Sequence, residues 1–249
     1  MNSVFMESAL DREEYLFFSI LVPAHNEEKY ISKTLGYLKG LDYPKDKYEV
    51  IIVENGSTDN TLSILEQHKN IENVFIFSSK ERGVSRAKNL GISKISVKSD
   101  WTIFLDADTI LKKGFLKNLN SYLREKSNMN IVIGTTSVLP DSNSKYAHLW
   151  FSFYNFAHWL IKVSFSIQIA RTSVASKIRF DEHLSYGEDY KFVRDSQKFG
   201  KFFFFRTDEV LTSTRRFEEE GWFKLFFKWI VRGMLPEKIR RRVSYEVIR

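Results

Sequence analysis

The chain has 249 residues, 43% of them hydrophobic, a size and an apolar content that suit one large domain with a substantial core. It contains no cysteine, which excludes a disulfide framework and any thiolate metal site. The formal net charge of +7 is concentrated at the C-terminus, where the stretch from Trp222 to Arg249 holds eight basic residues against two acidic ones, so the charge does not describe a nucleic-acid surface spread over the domain and no nucleic-acid partner is expected.

The first 14 residues carry Glu7, Asp11, Arg12, Glu13 and Glu14, with no basic segment leading into an apolar one. A signal peptide is therefore not expected, and the expected location is cytoplasmic. No run of about 18 apolar residues occurs, which argues against a spanning helix. Residues 16–22 are apolar, rich in β-formers and stopped by Pro23, and read as a first strand followed by a polar loop. Ile31, Leu35 and Leu38 then recur at helical spacing before Gly40 and Pro44. Residues 48–53 give a second strand, residues 54–59 a tight loop, and Leu62 and Leu65 mark a second helix. A third strand at 74–77, a helix at 85–95 and a fourth strand ending at Asp106 continue the alternation. Such alternation predicts a parallel sheet whose ligands bind beyond the carboxyl ends of the strands.

The fourth strand runs into Asp106-Ala107-Asp108. In an extended chain residues i and i+2 project to one side, so the two carboxylates can share one small volume. They repel each other unless a hard cation lies between them and an anionic ligand, a role in which Mg²⁺ or Mn²⁺ with substrate phosphates is at home. The same short pattern also occurs as a solvated turn.

Four segments in order, residues 18–28 (FSILVPAHNEE), 53–61 (VENGSTDNT), 82–92 (RGVSRAKNLGI) and 104–109 (FLDADT), resemble the family 2 glycosyltransferases. The likeness covers roughly residues 17–222. It implies the GT-A fold, an α/β class with a mostly parallel central sheet flanked by helices and one domain with two halves. It also implies a UDP- or GDP-sugar donor, inversion at the anomeric carbon, and Mn²⁺ or Mg²⁺ held by Asp108 with Asp106. By the same resemblance Pro23, Ala24, His25, Asn26 and Glu27 lie against the nucleotide, and Glu54 and Asn55 stand where such enzymes commonly carry two aspartates. Arg82 and Arg86, ahead of and within a helix whose N-terminus faces the sheet edge, would meet the diphosphate, with Lys88 and Asn89 beside them. Asp106, Ala107 and Asp108 complete the nucleotide-sugar set. Gly56 supplies a turn, and Asp59 either caps a helix or contacts ligand.

The acceptor half is expected over residues 111–221, after a nucleotide-sugar half at about 15–110, making one domain of 1–221. Phe115, Leu119 and Tyr122 mark a helix and residues 131–135 a strand. Residues 146–162 form a helix loaded with aromatics on nearly every side, read as partly exposed at the border of the acceptor pocket or as core. His148 and His158 read as polar breaks in it. A strand at 166–171 and a short helix at 173–178 lead to Gly187-Glu188-Asp189, which resembles the family's acceptor-side motif and makes Asp189 the catalytic base. Helix capping is its bland alternative. Glu188 and His183 are placed in the acceptor pocket. Residues 212–217 fall where relatives carry a closing loop, and a Gln-x-x-Arg-Trp motif of processive synthases is absent, so a single transfer is expected.

Residues 222–249 interleave Lys224, Lys228 and Arg232 with aromatics and end in an arginine cluster, a basic amphipathic tail suited to an anionic membrane surface. A peripheral enzyme on the inner face of the membrane with a lipid-linked or glycan acceptor is the resulting expectation. A nucleotidyltransferase would be expected to show a glycine-rich loop after the first strand, where this chain has Pro23-Ala24-His25-Asn26. A silent sugar-nucleotide-binding module would be marked by loss of Asp106, Asp108 or Asp189, and all three are present.

Overall fold

In the computed structural model, which describes residues 15–164, 166–184, 187–222, 224 and 225, strand β1 (Phe18–Ala24) lies inside the main sheet. It is followed by α1 (Ile31–Lys39), β2 (Tyr48–Asn55), α2 (Thr61–Glu66), β3 (Val74–Ser79), α3 (Val84–Ile92) and β4 (Trp101–Leu105). The second half consists of β5 (Thr109–Leu111), α4 (Phe115–Glu125), β6 (Ile131–Thr136), β7 (Leu139–Pro140), α5 (Lys145–Ile161), β8 (Ile167–Arg171), α6 (Thr172–Ile178), α7 (Glu188–Ser196), β9 (Lys201–Phe205), β10 (Val210–Thr212) and α8 (Arg215–Glu220).

Seven strands form the main sheet in the order β3-β2-β1-β4-β8-β6-β9, with β8 antiparallel to both of its neighbours and the other pairs parallel. The mostly parallel sheet expected from the alternating pattern is thus present. β1 and β2 are buried on both faces, which is why they read as near-continuous apolar runs rather than as alternating ones. The chief core cluster joins Ile20 and Val22 of β1 and Ile52 of β2 to Ile31, Leu35 and Leu38 of α1, so the helical spacing of the last three is the spacing of one buried face.

Pro23 does not stop the first strand. β1 continues to Ala24, with Pro23 in register with Val53, because β4 pairs only with residues Phe18 to Leu21 and leaves no partner on that side for an N–H that proline lacks. A second sheet of three short strands, ordered β5-β10-β7, was not foreseen and braces the turn after Asp108. The basic tail lies, from residue 226 on, outside the described residues. No helix among the described residues is long and apolar enough to cross a membrane.

Candidate active site

The carboxyl ends of β1, β2 and β4 deliver three loops to one edge of the sheet. The first two are bound to each other rather than to solvent. Asn26, in the left-handed region at φ 54°, donates its N–H to Ser57 Oγ at 3.0 Å and accepts from the Thr58 N–H at 2.7 Å through its side chain. The Glu27 N–H donates to Thr61 Oγ1 at 2.7 Å. Asp59 accepts from the backbone N–H groups of Glu28 and Thr61, so it is engaged in holding the loops together and starting α2. Glu54, buried at the end of β2, accepts from Ser78 Oγ at 2.7 Å and from the Ser57 N–H. Asn55 is buried beside it. Gly56 turns the chain at φ 73°, and the stem of Arg82 lies against it, placing Arg82 at this loop.

The third loop departs from the sequence reading in one respect. β4 ends at Leu105, so Asp106 and Asp108 stand in a turn closed by the Thr109 N–H donating to the Asp106 carbonyl at 3.0 Å, not on an extended strand. The turn is tethered by Thr34 Oγ1, which donates to the Ala107 carbonyl at 2.6 Å. The carboxylates converge nonetheless. Desolvation on the cleft floor pushes the Asp106 carboxyl well above its usual range; Lys88 opposes this, while Asp108, Asp189 and Glu27 add to it. Burial also raises Asp108, against the pull of Arg215.

Two cations answer these charges. Arg215, first residue of α8, forks onto Glu27 with bonds of 3.0 and 2.9 Å, reaches Asp108 Oδ2 at 3.0 Å and lies over the Tyr30 ring at 4.5 Å. Burial opposes its charge, but Glu27 and Asp108 outweigh that and hold it more firmly protonated than a free arginine. Lys88, on the inward face of α3, is almost wholly buried and donates to Asp189 Oδ1 at 2.6 Å. It also stands over the Phe180 ring at 4.7 Å. Desolvation works against the Lys88 charge, yet Asp189, Glu188 and Asp106 together keep its pKa above the ordinary lysine value.

Asp189 reaches the cleft because Gly187, at φ 79°, turns the chain immediately before α7, where the first-turn carboxylates also favour the helix N-terminus. Glu188 beside it is pushed up to about 7, first by burial and then by the Asp189 charge. Glu27, Asp106, Asp108, Glu188 and Asp189 thus face Lys88, Arg215 and the partly buried Arg216, whose protonated form burial disfavours. Carboxylates outnumber cations on this floor. Asp106 and Asp108 are oxygen donors of the kind a hard divalent cation takes, and would be the residues to hold one here.

Arg86 is half exposed and pairs with Glu81 at 3.3 Å and Glu182 at 3.7 Å. Asn89 holds the loop before α7, accepting from the Phe180 N–H and donating to Glu182. His183 is exposed on the turn before α7, its N–H donating to Asp181 Oδ1. Ala24 is the buried last residue of β1, and His25 opens the first loop directly after it. Sequence reasoning did not find the Lys88–Asp189 pair. The spacing of Ser85, Lys88 and Ile92, three before and four after, marks Lys88 as inward-facing without naming its partner.

Comparison with known proteins shows the family and the fold. The Glycosyl transferase family 2 model matches residues 19–202. Over 247 residues the chain is 30% identical to the dolichyl N-acetyl-alpha-D-glucosaminyl phosphate 3-beta-D-2,3-diacetamido-2,3-dideoxy-beta-D-glucuronosyltransferase of Methanococcus voltae, covering 92% of this chain and 71% of that one. It is 32% identical over 108 residues to the poly(ribitol-phosphate) beta-N-acetylglucosaminyltransferase TarS of Staphylococcus aureus, covering 43% of this chain but only 19% of that protein. The crystal structure of S. aureus TarS residues 1–349 with UDP-GlcNAc superposes with a TM-score of 0.65 at 21% identity, over 80% of this chain and 59% of that one. The mannosyltransferase PcManGT from Pyrobaculum calidifontis, with GDP-Man and Mn²⁺, superposes at 0.62 and 16% identity, over 91% and 67%. The fold is GT-A.

Proposed function

The chain belongs to glycosyl transferase family 2, and from that premise we propose that it is an inverting, metal-dependent enzyme that moves one sugar per encounter from a UDP- or GDP-sugar to an acceptor hydroxyl or phosphate. The observation that carries the reading is the meeting of the Asp106–Asp108 turn and the Lys88-held Asp189 in one cleft at the carboxyl ends of the strands.

Asp189 is the base. Its second oxygen is free of the Lys88 bond, and it accepts the proton of the acceptor hydroxyl as that oxygen forms its bond to the anomeric carbon. The bond from that carbon to the nucleoside diphosphate breaks on the opposite face, which inverts the configuration. Lys88, bonded to the other carboxyl oxygen at 2.6 Å, holds Asp189 in position as the proton arrives. Asp106 and Asp108 would hold Mn²⁺ or Mg²⁺, which when bound supplies positive charge to the leaving diphosphate. Arg215 and Arg216 lie where they add charge to the same group. The end of β1 with Pro23 and Ala24, and the following loop with His25, Asn26 and Glu27, braced by Glu54 and Asp59 of the neighbouring segment, face the nucleotide, and Glu188 and His183 border the acceptor.

Relatives whose names specify dolichyl-linked and poly(ribitol-phosphate) acceptors support a lipid-linked or cell-envelope glycan acceptor here, and we place the enzyme at the inner face of the membrane as part of the same proposal. The test is donor hydrolysis followed by NMR before mutarotation. The α-linked UDP- or GDP-sugar that is turned over should release the β-anomer, and Asp189→Asn should abolish turnover while donor binding persists. Release of the α-anomer would overturn the inverting reading.

A further inference from the structure

Helix α5 is apolar on two opposite faces, one buried against the domain and the other largely exposed. Ala147, Phe151, Tyr154 and His158 recur at helical spacing and are buried, with Phe151 set against Phe217 of α8. Leu149, Phe153, Phe156 and Leu160 recur at the same spacing on the other side, and are 71%, 48%, 55% and 60% exposed. Trp159, 46% exposed, widens the stripe. A contiguous outward row of this kind is not the scattered exposure ordinary for a soluble surface.

The charges around it say what covers it. No acidic residue occurs anywhere in the 17 residues of α5. Lys145 begins the helix and Lys162 follows its end in the left-handed conformation, so both termini of the stripe carry an exposed cation. Beside Trp159 a groove runs between Lys126, Lys162 and Lys201. Lys126 is balanced by Glu125, while Lys162 and Lys201 have no ion pair among the described residues. A second copy of this chain would meet this lysine rim with the same rim. Aromatic and leucine side chains between lysines match the boundary between acyl chains and anionic headgroups.

We propose that the outward face of α5 is a lipid-contact surface that lies in the plane of an anionic membrane, with Leu149, Phe153, Phe156 and Leu160 in the acyl boundary. This contact is argued from α5 alone and does not depend on the transferase reading. Its inward face connects it to the site. Tyr146 and Trp150 of α5 meet Trp222 at ring separations of 5.3 and 5.9 Å, and Trp150 meets Phe217 at 6.4 Å, so the helix that begins with Arg215 is packed beneath the lipid-facing one. A lipid-borne acceptor would therefore be presented beside the cleft.

The absence of native cysteine allows a clean test in the full chain. Phe156→Cys carries an environment-sensitive fluorophore, and Phe75→Cys, exposed on the distant edge strand β3, is the control. Vesicles of phosphatidylcholine and phosphatidylglycerol should blue-shift the probe at 156, brominated acyl chains should quench it, and neither should affect the probe at 75. The Phe153→Ser/Phe156→Ser/Leu160→Ser variant should keep the wild-type Tm and donor-dependent stabilisation while its vesicle partition falls at least about tenfold. Equal responses at 156 and 75, wild-type partition in the triple variant, or no vesicle binding by the full chain would overturn the proposal. A blue shift at 156 that appears without vesicles and grows with protein concentration would assign the face to a second copy instead.

Discussion

Lys88 Nζ lies 2.6 Å from Asp189 Oδ1, joining α3 to the first turn of α7 across 101 residues of sequence. Both side chains are withdrawn from water, with 3% and 13% of their surface exposed. Removing one partner from such a pair leaves the other charge buried, which costs more than the pair itself contributes.

Lys88→Met should therefore lower unfolding stability by about 3 kcal/mol. Lys88→Met/Asp189→Asn should cost less than the sum of the two single changes, because the double change leaves no orphaned charge. Urea unfolding of the four proteins measures this coupling. Additive losses would show that the two groups do not sense each other.

The proposed base is tested more specifically by Asp189→Asn, which keeps shape while removing proton affinity. The expected loss in kcat is on the order of 10²- to 10⁴-fold with little change in donor affinity. Steady-state kinetics beside donor-dependent melting separates the two. A variant with wild-type kcat would assign the proton to another group.

Arg215 holds Glu27 and Asp108 together through three contacts of 2.9 to 3.0 Å. Arg215→Ala should destabilise the protein by about 2 kcal/mol, the range expected for losing hydrogen bonds to charged groups, and should raise the donor KM. Denaturant midpoints and initial rates check both halves. Unchanged stability would mean that the fork is not maintained in solution.

Much of this was legible in the sequence, and the reasons it was or was not are physical. β1, β2 and β4 lie inside a sheet buried on both faces, so they leave continuous apolar runs that end where the polar loops begin. The four motifs then named the family. The small sheet left no trace, since strands of two or three residues such as Leu139–Pro140 and Val210–Thr212 are too short to carry a period. β9, with four consecutive phenylalanines at 202–205, is a further strand that the sequence reading did not assign. The pairing of Lys88 with Asp189 depends on the crossing of two helices, which spacing along one helix does not encode.

His158 offers a prediction about pH. Burial pushes its imidazole down to about 3 from 6.5, so the native state holds it neutral where the unfolded chain protonates it. Between pH 6.5 and about 3 the unfolded state binds the extra proton, and stability falls as pH falls by up to about 1.4 kcal/mol per pH unit from this group. Chemical unfolding of wild type and His158→Asn across this window isolates the contribution as a difference in slope. Parallel curves would contradict the neutral buried imidazole.

The most direct measurement of the central claim is melting with UDP-, GDP- and dTDP-sugars, with and without Mn²⁺, for wild type and Asp108→Asn. A ligand at 100 times its Kd adds about 2.7 kcal/mol of stability, which is readily seen in Tm. The account predicts that one nucleotide class raises the wild-type Tm only with metal, and that the rise is lost in Asp108→Asn whatever that variant's own baseline. A wild-type Tm indifferent to every donor, or a donor- and metal-dependent rise that survives Asp108→Asn in full, would contradict it.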